Sequence, residues 1–574
     1  PNSFCMAILS PLIDLAQICA ELGVQDAILC PGSRSAALTI AFTEHPKIHC
    51  RAVQDERSAA YIALGIAQKS KKPVVLVCTS GTAALNFSPA VAEAYFLEVP
   101  LLVFTADRPV EWIHQYDGQT IFQQNIYGQH VKRAYQWQAD YTNHDTQWMC
   151  KRTASEAIQH AVQEPCGPIH INIPIREPFY PETKDYPLIS SCQPILWDSP
   201  SVSVSEKIKE RVREIVQSGQ KVLFAVGQQD NPELSGILSE LAQMYPILGD
   251  SISQVKGDAF ILLHDHYLGS IPTEQLVSLQ PDILITTEKS FISKPFKQFV
   301  RANPPKEHWH VQIGDILKDP FQTLTWHISL PPVLFFKEFQ VASKEGSNKN
   351  ERYYNEWVGI EMKVKESLIL YYEKSNSDIL FSEADLVLSL VCSVSTEVQL
   401  HVGNSLAIRY VNLFYGLSNF PFIHCNRGTS GIDGCVSTAV GAAYASPNEQ
   451  HVCLVGDISF LYDSNALWQN IFPSNLKIIV LNNQGGGIFG MIPGPVEQPS
   501  YTAFFQTGHT FQMEGIASNF RIPYVFGKSG AFTRKDLREF LENEGARILE
   551  FHSNSEENKM HGNERKTQIT SLFN

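Results

Sequence analysis

The amino-acid sequence predicts an α/β protein made of three doubly wound parallel-sheet domains. Short apolar runs rich in β-branched residues alternate with longer segments of helical periodicity, which is the pattern of repeated strand–helix–strand units. The apolar runs lead directly into polar or glycine-rich loops, as expected where ligands bind beyond the carboxyl edge of a parallel sheet. The 574 residues also exceed what one hydrophobic core normally holds. We expect domains at residues 1–188, 189–348 and 349–574.

In the first domain, four apolar runs are predicted to be strands, and each ends at a polar loop. The loops comprise residues 31–35, 54–57, 79–82 and 107–109. Glu56 lies in the second of them, directly before a predicted helix. A carboxylate at that position also complements the helix dipole, so position alone favours a structural role for Glu56.

In the central domain, the runs KVLFAV and PDILITT are predicted to be strands. Neither is followed by the GxGxxG pattern of a dinucleotide site, so we expect no flavin or nucleotide in this domain. Lys294 lies in the loop at residues 291–295, which we expect to point toward a ligand site. For a lone lysine, a solvated surface position is the simpler interpretation.

The third domain contains a strand–helix–strand unit between residues 451 and 489. Its two apolar strands, HVCLV and LKIIVL, lead to Asp457 and Asn483, 26 positions apart. Because a right-handed crossover can bring the carboxyl ends of two parallel strands together, we expect both side chains to face one crevice. Asp457, Asn483 and the main-chain carbonyl of Gly485 are oxygen ligands of the kind that Mg²⁺ prefers beside a diphosphate. The helix that opens at Asp457 would present free N–H groups to the phosphates.

Each half of this pattern also has a simpler structural interpretation. Gly456 and Asp457 could serve only to start a helix, and residues 482–485 could form only a turn. The two halves together, at the spacing of one crossover, favour the metal–diphosphate interpretation. Elsewhere in the domain, Arg427 lies in a glycine-rich loop, where burying an arginine is costly unless an anion pairs with it.

Composition excludes several classes of protein. The net charge of −14 argues against a general nucleic-acid or membrane-surface partner. No uninterrupted apolar stretch approaches the roughly 18 residues of a membrane span. The first residues lack the basic segment of a signal peptide. The 12 cysteines are scattered without a CxxC pair, which indicates reduced thiols in a cytoplasmic protein.

Gly456 and Asp457, followed one crossover later by a pair of asparagines, resemble the signature of the thiamine-diphosphate enzymes, although Ile458 stands where many members have glycine. The resemblance implies thiamine diphosphate and Mg²⁺ as cofactors, with Mn²⁺ as an alternative metal because it accepts the same oxygen ligands. It also implies that Glu56 is the catalytic acid, placed at N1′ of the aminopyrimidine in a dry pocket that would raise its pKa. The implied cofactor-binding residues are Glu56, Gly456, Asp457, Ser459, Ile432, Asn483, Ile488 and Phe489, with core packing as the alternative for Ile432 and Phe489.

Further motifs resemble one branch of this family, which joins 2-oxoglutarate to isochorismate. They extend in order over nearly the whole chain and include PGSRSAAL, DERSAAYIALGIA, TSGTAALN, GNSLAIR, NRGTSGIDG and NNQGGGIF. The resemblance implies decarboxylation of 2-oxoglutarate and 1,4-addition of the remaining succinyl carbanion equivalent to isochorismate. It assigns to isochorismate Ser33, Arg34, Arg108, Gln119 and Lys294, and to the part derived from 2-oxoglutarate Ser405, Arg409 and Arg427. The division between the two substrates stays open.

The family also implies an assembly and leaves two alternatives. Because its cofactor bridges the first domain of one subunit and the third domain of another, we expect a homodimer or a dimer of dimers. Two positions depart from the branch: Asp117 and Gly118 precede Gln119 where relatives are often less acidic, and Pro295 follows Lys294 where some have arginine. The alternatives are another thiamine-dependent decarboxylase or carboligase for 2-oxoacids, and a noncatalytic cofactor sensor.

Overall fold

Three parallel sheets follow one another along the chain, as the sequence predicts. The computed structural model describes residues 2–177, 179–180, 189–346, 350–374, 378–394, 397–492 and 494–573. The predicted domain boundaries at residues 188 and 348 lie outside the described residues and stay predictions.

The first sheet has six strands in the order β2-β1-β3-β4-β6-β5, and all neighbours are parallel. The central strands are buried from end to end, which is why they read as continuous apolar runs. The strands are β1 (Asp26–Leu29), β2 (His49–Ala52), β3 (Val74–Cys78), β4 (Leu101–Asp107), β5 (Arg133–Gln136) and β6 (Ile169–Pro174). The helices are α1 (Asn2–Glu21), α2 (Ala36–Thr43), α3 (Glu56–Ser70), α4 (Thr82–Asn86), α5 (Ser88–Leu97) and α6 (His144–Val162).

The second sheet has five parallel strands in the order β11-β10-β9-β7-β8. Its strands are β7 (Val222–Val226), β8 (Ile247–Gly249), β9 (Ile283–Thr287), β10 (Glu307–Val311) and β11 (Trp326–Ile328). Its helices are α7 (Glu206–Ser218), α8 (Pro232–Leu241), α9 (His264–Leu268), α10 (Lys294–Ala302) and α11 (Pro332–Glu345). Lys294 is thus the first residue of a helix, capped by the Ser293 side chain.

The third sheet has six parallel strands in the order β13-β12-β14-β15-β17-β16. Its strands are β12 (Val398–Val402), β13 (Phe422–Cys425), β14 (Gln450–Gly456), β15 (Leu476–Asn482), β16 (Tyr524–Lys528) and β17 (Arg547–His552). The helices are α12 (Glu351–Lys374), α13 (Glu383–Ser393), α14 (Leu406–Phe414), α15 (Cys435–Ala445), α16 (Asp457–Tyr462), α17 (Ile488–Met491), α18 (Glu514–Asn519), α19 (Arg534–Glu542) and α20 (Ser555–Ser571).

Helices α3 and α15 pack the first domain against the third within one chain. A side chain at Gly65 of α3 would lie 2.0 Å from the carbonyl oxygen of Thr438, and one at Gly441 of α15 would lie 2.1 Å from that of Ile62. Only glycine therefore allows the two backbones to come this close. The contact fixes where the N-terminus of α3, and hence Glu56, lies relative to the third domain.

The polar C-terminal segment shows no hydrophobic periodicity in the sequence, yet it folds as a helix. Residues Ser555–Ser571 form α20, which begins at an Asn554 cap and buries Asn558, Arg565 and Ile569. Arg565 lies 3.3 Å from Asp385 of α13. The segment looked solvated because its buried contacts are mostly polar, and hydrophobic periodicity does not report such contacts.

Candidate active site

A cavity of about 260 Å³ lies at the carboxyl edge of the third sheet, where β12, β14 and β15 end. All of the residues that line it belong to the third domain. The cavity wall brings together the predicted residues Ser405, Ile432, Gly456, Asp457, Ser459, Asn483, Gly485, Ile488 and Phe489. Two strand ends that are distant in sequence therefore meet, as the crossover geometry predicts.

Asp457 anchors the junction between these strand ends. It begins α16 and is 2 % exposed. Its Oδ1 accepts a hydrogen bond from the Ile458 N–H at 2.7 Å, and its Oδ2 accepts one from the Gly485 N–H at 3.0 Å. Burial raises the pKa of Asp457 to about 6, although these N–H donors favour the charged form.

Asn483 supplies an unpaired oxygen to the same wall. Its Nδ2 donates a hydrogen bond to Oε1 of Glu383 at 2.9 Å. Its Oδ1 is buried and has no hydrogen-bond partner among the residues that the structure describes. Leaving a buried amide oxygen unpaired costs about 1–3 kcal/mol, so this atom is suited to a ligand or cation.

The turn after Asn483 requires its glycines. Gly485 has φ 153°, and a side chain there would lie 2.6 Å from the Gln506 carbonyl oxygen. A side chain at Gly487 would lie 2.9 Å from Nδ2 of Asn483 and would displace it. The Gly485 carbonyl accepts one hydrogen bond, from the Gly487 N–H at 2.9 Å, and a carbonyl oxygen has a second lone pair for another partner.

The rest of the wall is largely apolar. Ile432 is held in place because the Ser459 hydroxyl donates a hydrogen bond to its carbonyl oxygen at 2.8 Å. Ile488 and Phe489 begin α17, and the Phe489 ring lies 5.8 Å from the Phe505 ring, which also lines the cavity. The cavity thus combines a polar end at Asp457 and Asn483 with a wall that is otherwise mostly hydrocarbon.

Two arginines lie beside the cavity next to Ser405. Arg409 donates a hydrogen bond to the Ser405 carbonyl oxygen at 2.6 Å, and Arg427 donates one to Oδ1 of Asn404 at 3.0 Å. Asn404 and Ser405 both line the cavity, whereas the arginines themselves do not. Nε of Arg427 is buried without a partner in the described part of the chain. This pair can bind a carboxylate.

The predicted isochorismate residues of the first domain cluster at the edge of their own sheet, away from this cavity. Arg108 donates hydrogen bonds to the Gln119 carbonyl oxygen at 3.0 Å and to the hydroxyl of Ser80 at 2.5 Å. Burial, followed by the Arg108 charge, lowers the pKa of Arg34. Ser33 and Gln119 are exposed. Asp117, a departure from the branch, forms an ion pair with Arg108.

Glu56 does not line the cavity of its own chain. It is the first residue of α3. The residues on either side of Glu56 contact Tyr462, at the opposite end of α16 from Asp457, and Asn465, just beyond that helix. Arg57 donates a hydrogen bond to the Tyr462 carbonyl oxygen at 2.6 Å, and Asn465 donates one to Asp55 at 2.6 Å. Lys294 is exposed and does not line the cavity either.

Comparison with known proteins now identifies the family. The model of the thiamine pyrophosphate enzyme N-terminal TPP binding domain matches residues 14–131, and that of the C-terminal TPP binding domain matches residues 410–551. The chain is 37% identical over 553 residues to 2-succinyl-5-enolpyruvyl-6-hydroxy-3-cyclohexene-1-carboxylate (SEPHCHC) synthase of Cytophaga hutchinsonii, covering 95% of this chain and 96% of the relative. The chain belongs to the SEPHCHC synthase family.

Two further SEPHCHC synthases extend this result. The protein from Flavobacterium psychrophilum is 38% identical over 545 residues, covering 93% of this chain and 94% of the relative. That from Bacteroides fragilis is 34% identical over 512 residues, covering 88% of both chains. The predicted fold, three parallel-sheet domains of the thiamine-diphosphate-enzyme type, is confirmed.

The third-domain cavity fits the cofactor of a SEPHCHC synthase. The unpaired Asn483 oxygen, the Asp457 carboxylate and the Gly485 carbonyl are neighbouring oxygen donors, which suit a hard divalent cation. The glycine turn leaves no room for side chains there, so the backbone can approach a diphosphate closely.

Two further residues of this site could not be predicted from the sequence. Glu383 lines the cavity and is fully buried, and burial raises its pKa to about 7. His509 lies 3.1 Å from Oδ2 of Asp457 through its Nε2. Glu383 precedes the asparagine pair by a hundred positions, and His509 follows a loop without a motif, so neither gives a local signal.

Proposed function

We propose that this protein catalyses thiamine-diphosphate-dependent decarboxylation of 2-oxoglutarate and 1,4-addition of the resulting succinyl unit to isochorismate. The product is SEPHCHC, an intermediate of menaquinone biosynthesis, and CO₂ is released. One observation carries the proposal. The cavity is lined by the hydrogen-bonded carboxylate of Asp457 and by the Asn483 amide oxygen, which has no partner in the described chain, and two arginines lie beside it.

In this proposal, the polar end of the cavity holds the diphosphate and its Mg²⁺, which Mn²⁺ could replace. The metal ligands are Asp457, Asn483 and the main-chain carbonyl of Gly485. Gly456 and Ser459 lie where β14 passes into α16 and contribute to diphosphate binding. The first turn of a helix favours negative charge, which supports this orientation of the cofactor.

The apolar residues orient the two rings. Ile432, Ile488 and Phe489 form the hydrocarbon wall, which excludes water from the reacting carbon. When bound, thiamine diphosphate supplies the electron sink for the carbon–carbon bonds that break and form. Glu56 holds and returns the proton at N1′ of the aminopyrimidine ring.

The arginines bind the two dicarboxylate substrates. Arg409 and Arg427, with Ser405 between them and the cavity, would hold the distal carboxylate of 2-oxoglutarate. Ser33, Arg34, Arg108, Gln119 and Lys294 would hold isochorismate. A guanidinium can bind a carboxylate through two parallel hydrogen bonds, which fixes orientation as well as affinity.

We further propose a homodimer, or a dimer of dimers, in which each site is shared. Glu56 and the first-domain arginines do not line the cavity of their own chain, which supports their supply by a second subunit. Exposed apolar side chains near this first-domain edge, Val110 and Phe122 among them, support such an interface. The domains are proposed at residues 1–188, 189–348 and 349–574, and the free cysteines of the described chain support a cytoplasmic location.

A defined-substrate assay tests the proposal. The protein is incubated with 2-oxoglutarate, isochorismate, thiamine diphosphate and Mg²⁺, and both CO₂ and SEPHCHC are measured. We expect one CO₂ per SEPHCHC and dependence on all four components. Equal turnover of pyruvate, or no product that depends on isochorismate, would instead indicate another thiamine-dependent enzyme, and cofactor binding without turnover would indicate a sensor.

A further inference from the structure

Asn482 ends β15 and Asn483 follows it, and each donates a hydrogen bond to a different buried glutamate. Asn482 donates to Oε1 of Glu550 at 2.7 Å, and its own Oδ1 accepts a hydrogen bond from the Gln484 N–H at 3.0 Å. Asn482 therefore uses both ends of its amide within the protein. Asn483 donates to Glu383, but its Oδ1 is buried and unpaired within the described part of the chain.

A directional chain of hydrogen bonds determines which end of the Asn483 amide contacts Glu383. The chain starts at the backbone N–H of Glu383, which can only donate, and which donates to Oδ1 of Asn558 at 2.9 Å. Asn558 must then present its Nδ2 on the other side, and it donates to the hydroxyl of Ser553 at 3.0 Å. The Ser553 hydroxyl proton is thereby directed to Oε1 of Glu383, at 3.0 Å.

Oε1 of Glu383 is consequently an acceptor, whether or not the other carboxyl oxygen, Oε2, carries a proton. A side chain that contacts this atom must offer a donor, and Asn483 can offer only its NH₂ group. If the Asn483 amide rotated by half a turn, its oxygen would face another acceptor and its NH₂ group would lie in the cavity wall. An NH₂ group cannot ligate a cation, so the amide orientation decides whether Asn483 can do so.

We propose that Glu383 is a positioning residue that fixes the Asn483 amide with its oxygen available to the divalent cation. The inference rests on the proposed function, since it needs Asn483 to be a metal ligand. The ring of Glu383, Asn558 and Ser553 joins the start of α13 to the start of α20 behind the end of β15. The C-terminal helix thereby contributes to the metal site without touching the cation.

The test measures Mn²⁺ affinity by electron paramagnetic resonance in the presence of saturating thiamine diphosphate. Glu383→Met removes the acceptor at similar volume, and we expect Mn²⁺ binding about 10- to 100-fold weaker, as for other residues that orient metal ligands. Glu383→Gln should bind Mn²⁺ nearly as well as wild type, because the Ser553 hydroxyl directs the glutamine oxygen, and not its NH₂ group, toward Asn483.

A second pair of variants separates the effect of hydrogen-bond direction at residue 383 from the effect of burying a polar group there. Ser553→Ala alone should change Mn²⁺ affinity little, because either oxygen of a carboxyl group can accept a hydrogen bond from Asn483. In the Glu383→Gln background, Ser553→Ala frees the glutamine amide to rotate and should weaken Mn²⁺ binding clearly. This comparison stays informative if Glu383→Met fails to fold, since both single variants keep a polar partner for Asn483.

Glu361→Met is the matched control for loss of a buried carboxylate. Glu361 is also buried, with a pKa raised by burial to about 7. It accepts hydrogen bonds from the N–H groups of Leu262 and Leu263 and from the Tyr267 hydroxyl, and it does not line the cavity. We expect it to lower the unfolding temperature without changing Mn²⁺ affinity. An equal loss of affinity in Glu361→Met and Glu383→Met would overturn the proposal.

Asn483→Ala separates failure of the inference from failure of the proposed function. If Asn483→Ala leaves Mn²⁺ affinity unchanged, Asn483 is not a ligand and the proposed metal site is wrong. If Asn483→Ala weakens binding but Glu383→Met does not, only the positioning role is wrong. If both roles hold, Glu383→Met should have almost no further effect in the Asn483→Ala background, because the two changes then remove the same interaction.

Discussion

The carboxyl edges of the first and third sheets both carry polar and charged side chains, but they differ in whether these side chains line the cavity. The third-domain edge encloses a cavity in which Asp457, Asn483 and the glycine turn already contact one another. The first-domain edge carries Glu56, Arg34 and Arg108, yet none of them lines that cavity. Instead, Arg108 forms an ion pair with Asp117 of its own loop.

This difference indicates that the two edges have different roles in the proposed site. In the proposed site, the third domain binds the diphosphate end of the cofactor by itself, because the proposed ligands all come from one sheet. The first domain carries an acid and several arginines that do not line this cavity in the described part of their own chain. In the proposed dimer, a single chain contributes one half to each of two sites, so changes at the two edges should have different consequences.

The largest expected effect comes from the first-domain edge. Glu56→Gln should reduce turnover about 100- to 10,000-fold, the usual contribution of a positioned acid or base, while cofactor affinity stays near wild type. Turnover is measured as SEPHCHC formed, and affinity by calorimetry with thiamine diphosphate. The exposed Glu44 of the same domain serves as the control, and Glu44→Gln should be fully active. Unchanged turnover in Glu56→Gln would show that Glu56 is not the catalytic acid and serves only to stabilise the start of helix α3.

The next effect concerns the third-domain edge. Asp457→Ala should abolish Mg²⁺-dependent binding of thiamine diphosphate, because the charged metal ligand is lost. Calorimetry with and without Mg²⁺ measures this directly. Asp463→Asn is a matched change at the other end of the same helix, where the side chain accepts hydrogen bonds from Ser437 and lies outside the cavity wall. That control should lose stability but keep cofactor affinity, and unaltered binding in Asp457→Ala would refute the metal assignment.

A third prediction assigns one substrate to each edge. Arg409→Met should raise KM for 2-oxoglutarate about 10- to 100-fold, equivalent to about 1.4–2.7 kcal/mol of binding, with little change for isochorismate. Arg108→Met should have the reverse selectivity. Steady-state kinetics with each substrate varied in turn provides the measurement. If both variants affect both substrates equally, the proposed division of the arginines is wrong.

Much of the fold and of the third-domain site could be predicted from the sequence. Continuous β-branched runs predict buried parallel strands, and the spacing from Asp457 to Asn483 predicts that their ends meet, because both signals are local. The polar contacts that support the site could not be predicted this way. Glu383, Ser553 and Asn558 come from separate helices and loops, and only the folded chain brings them together. Edge strand β5 and helix α20 could not be predicted for a similar reason. Both are rich in polar residues and therefore show no hydrophobic periodicity.

The smallest expected effect concerns stability rather than activity. His401, His424 and His451 lie on three adjacent strands of the third sheet; His401 stacks on His424 at 4.6 Å and is 2.9 Å from His451. Burial lowers the pKa of His451 to about 4 and holds the pKa of His401 well below its usual range. A histidine with a lowered folded pKa stabilises the protein fully above about pH 6.5, and that stabilisation is lost as pH falls toward the folded value.

His401→Gln should therefore reduce the pH dependence of stability. Each such histidine costs about 1.4 kcal/mol of unfolding free energy per pH unit below about 6.5, and the variant should lack one of these contributions. Urea unfolding of wild type and variant at pH 7 and pH 5 measures the difference. His49→Gln, at an exposed position of the first sheet, is the control. Parallel pH profiles for wild type and His401→Gln would contradict the prediction.

The most direct test of the shared site mixes two inactive variants. Glu56→Gln and Asp457→Ala homodimers each lack one half of every site, whereas a mixed dimer has one site with both residues intact. After the subunits are exchanged at equal concentration, about a quarter of the sites should be complete, so activity should recover to about a quarter of wild type. No recovery, although mass spectrometry shows mixed dimers, would contradict the claim that two chains build each site.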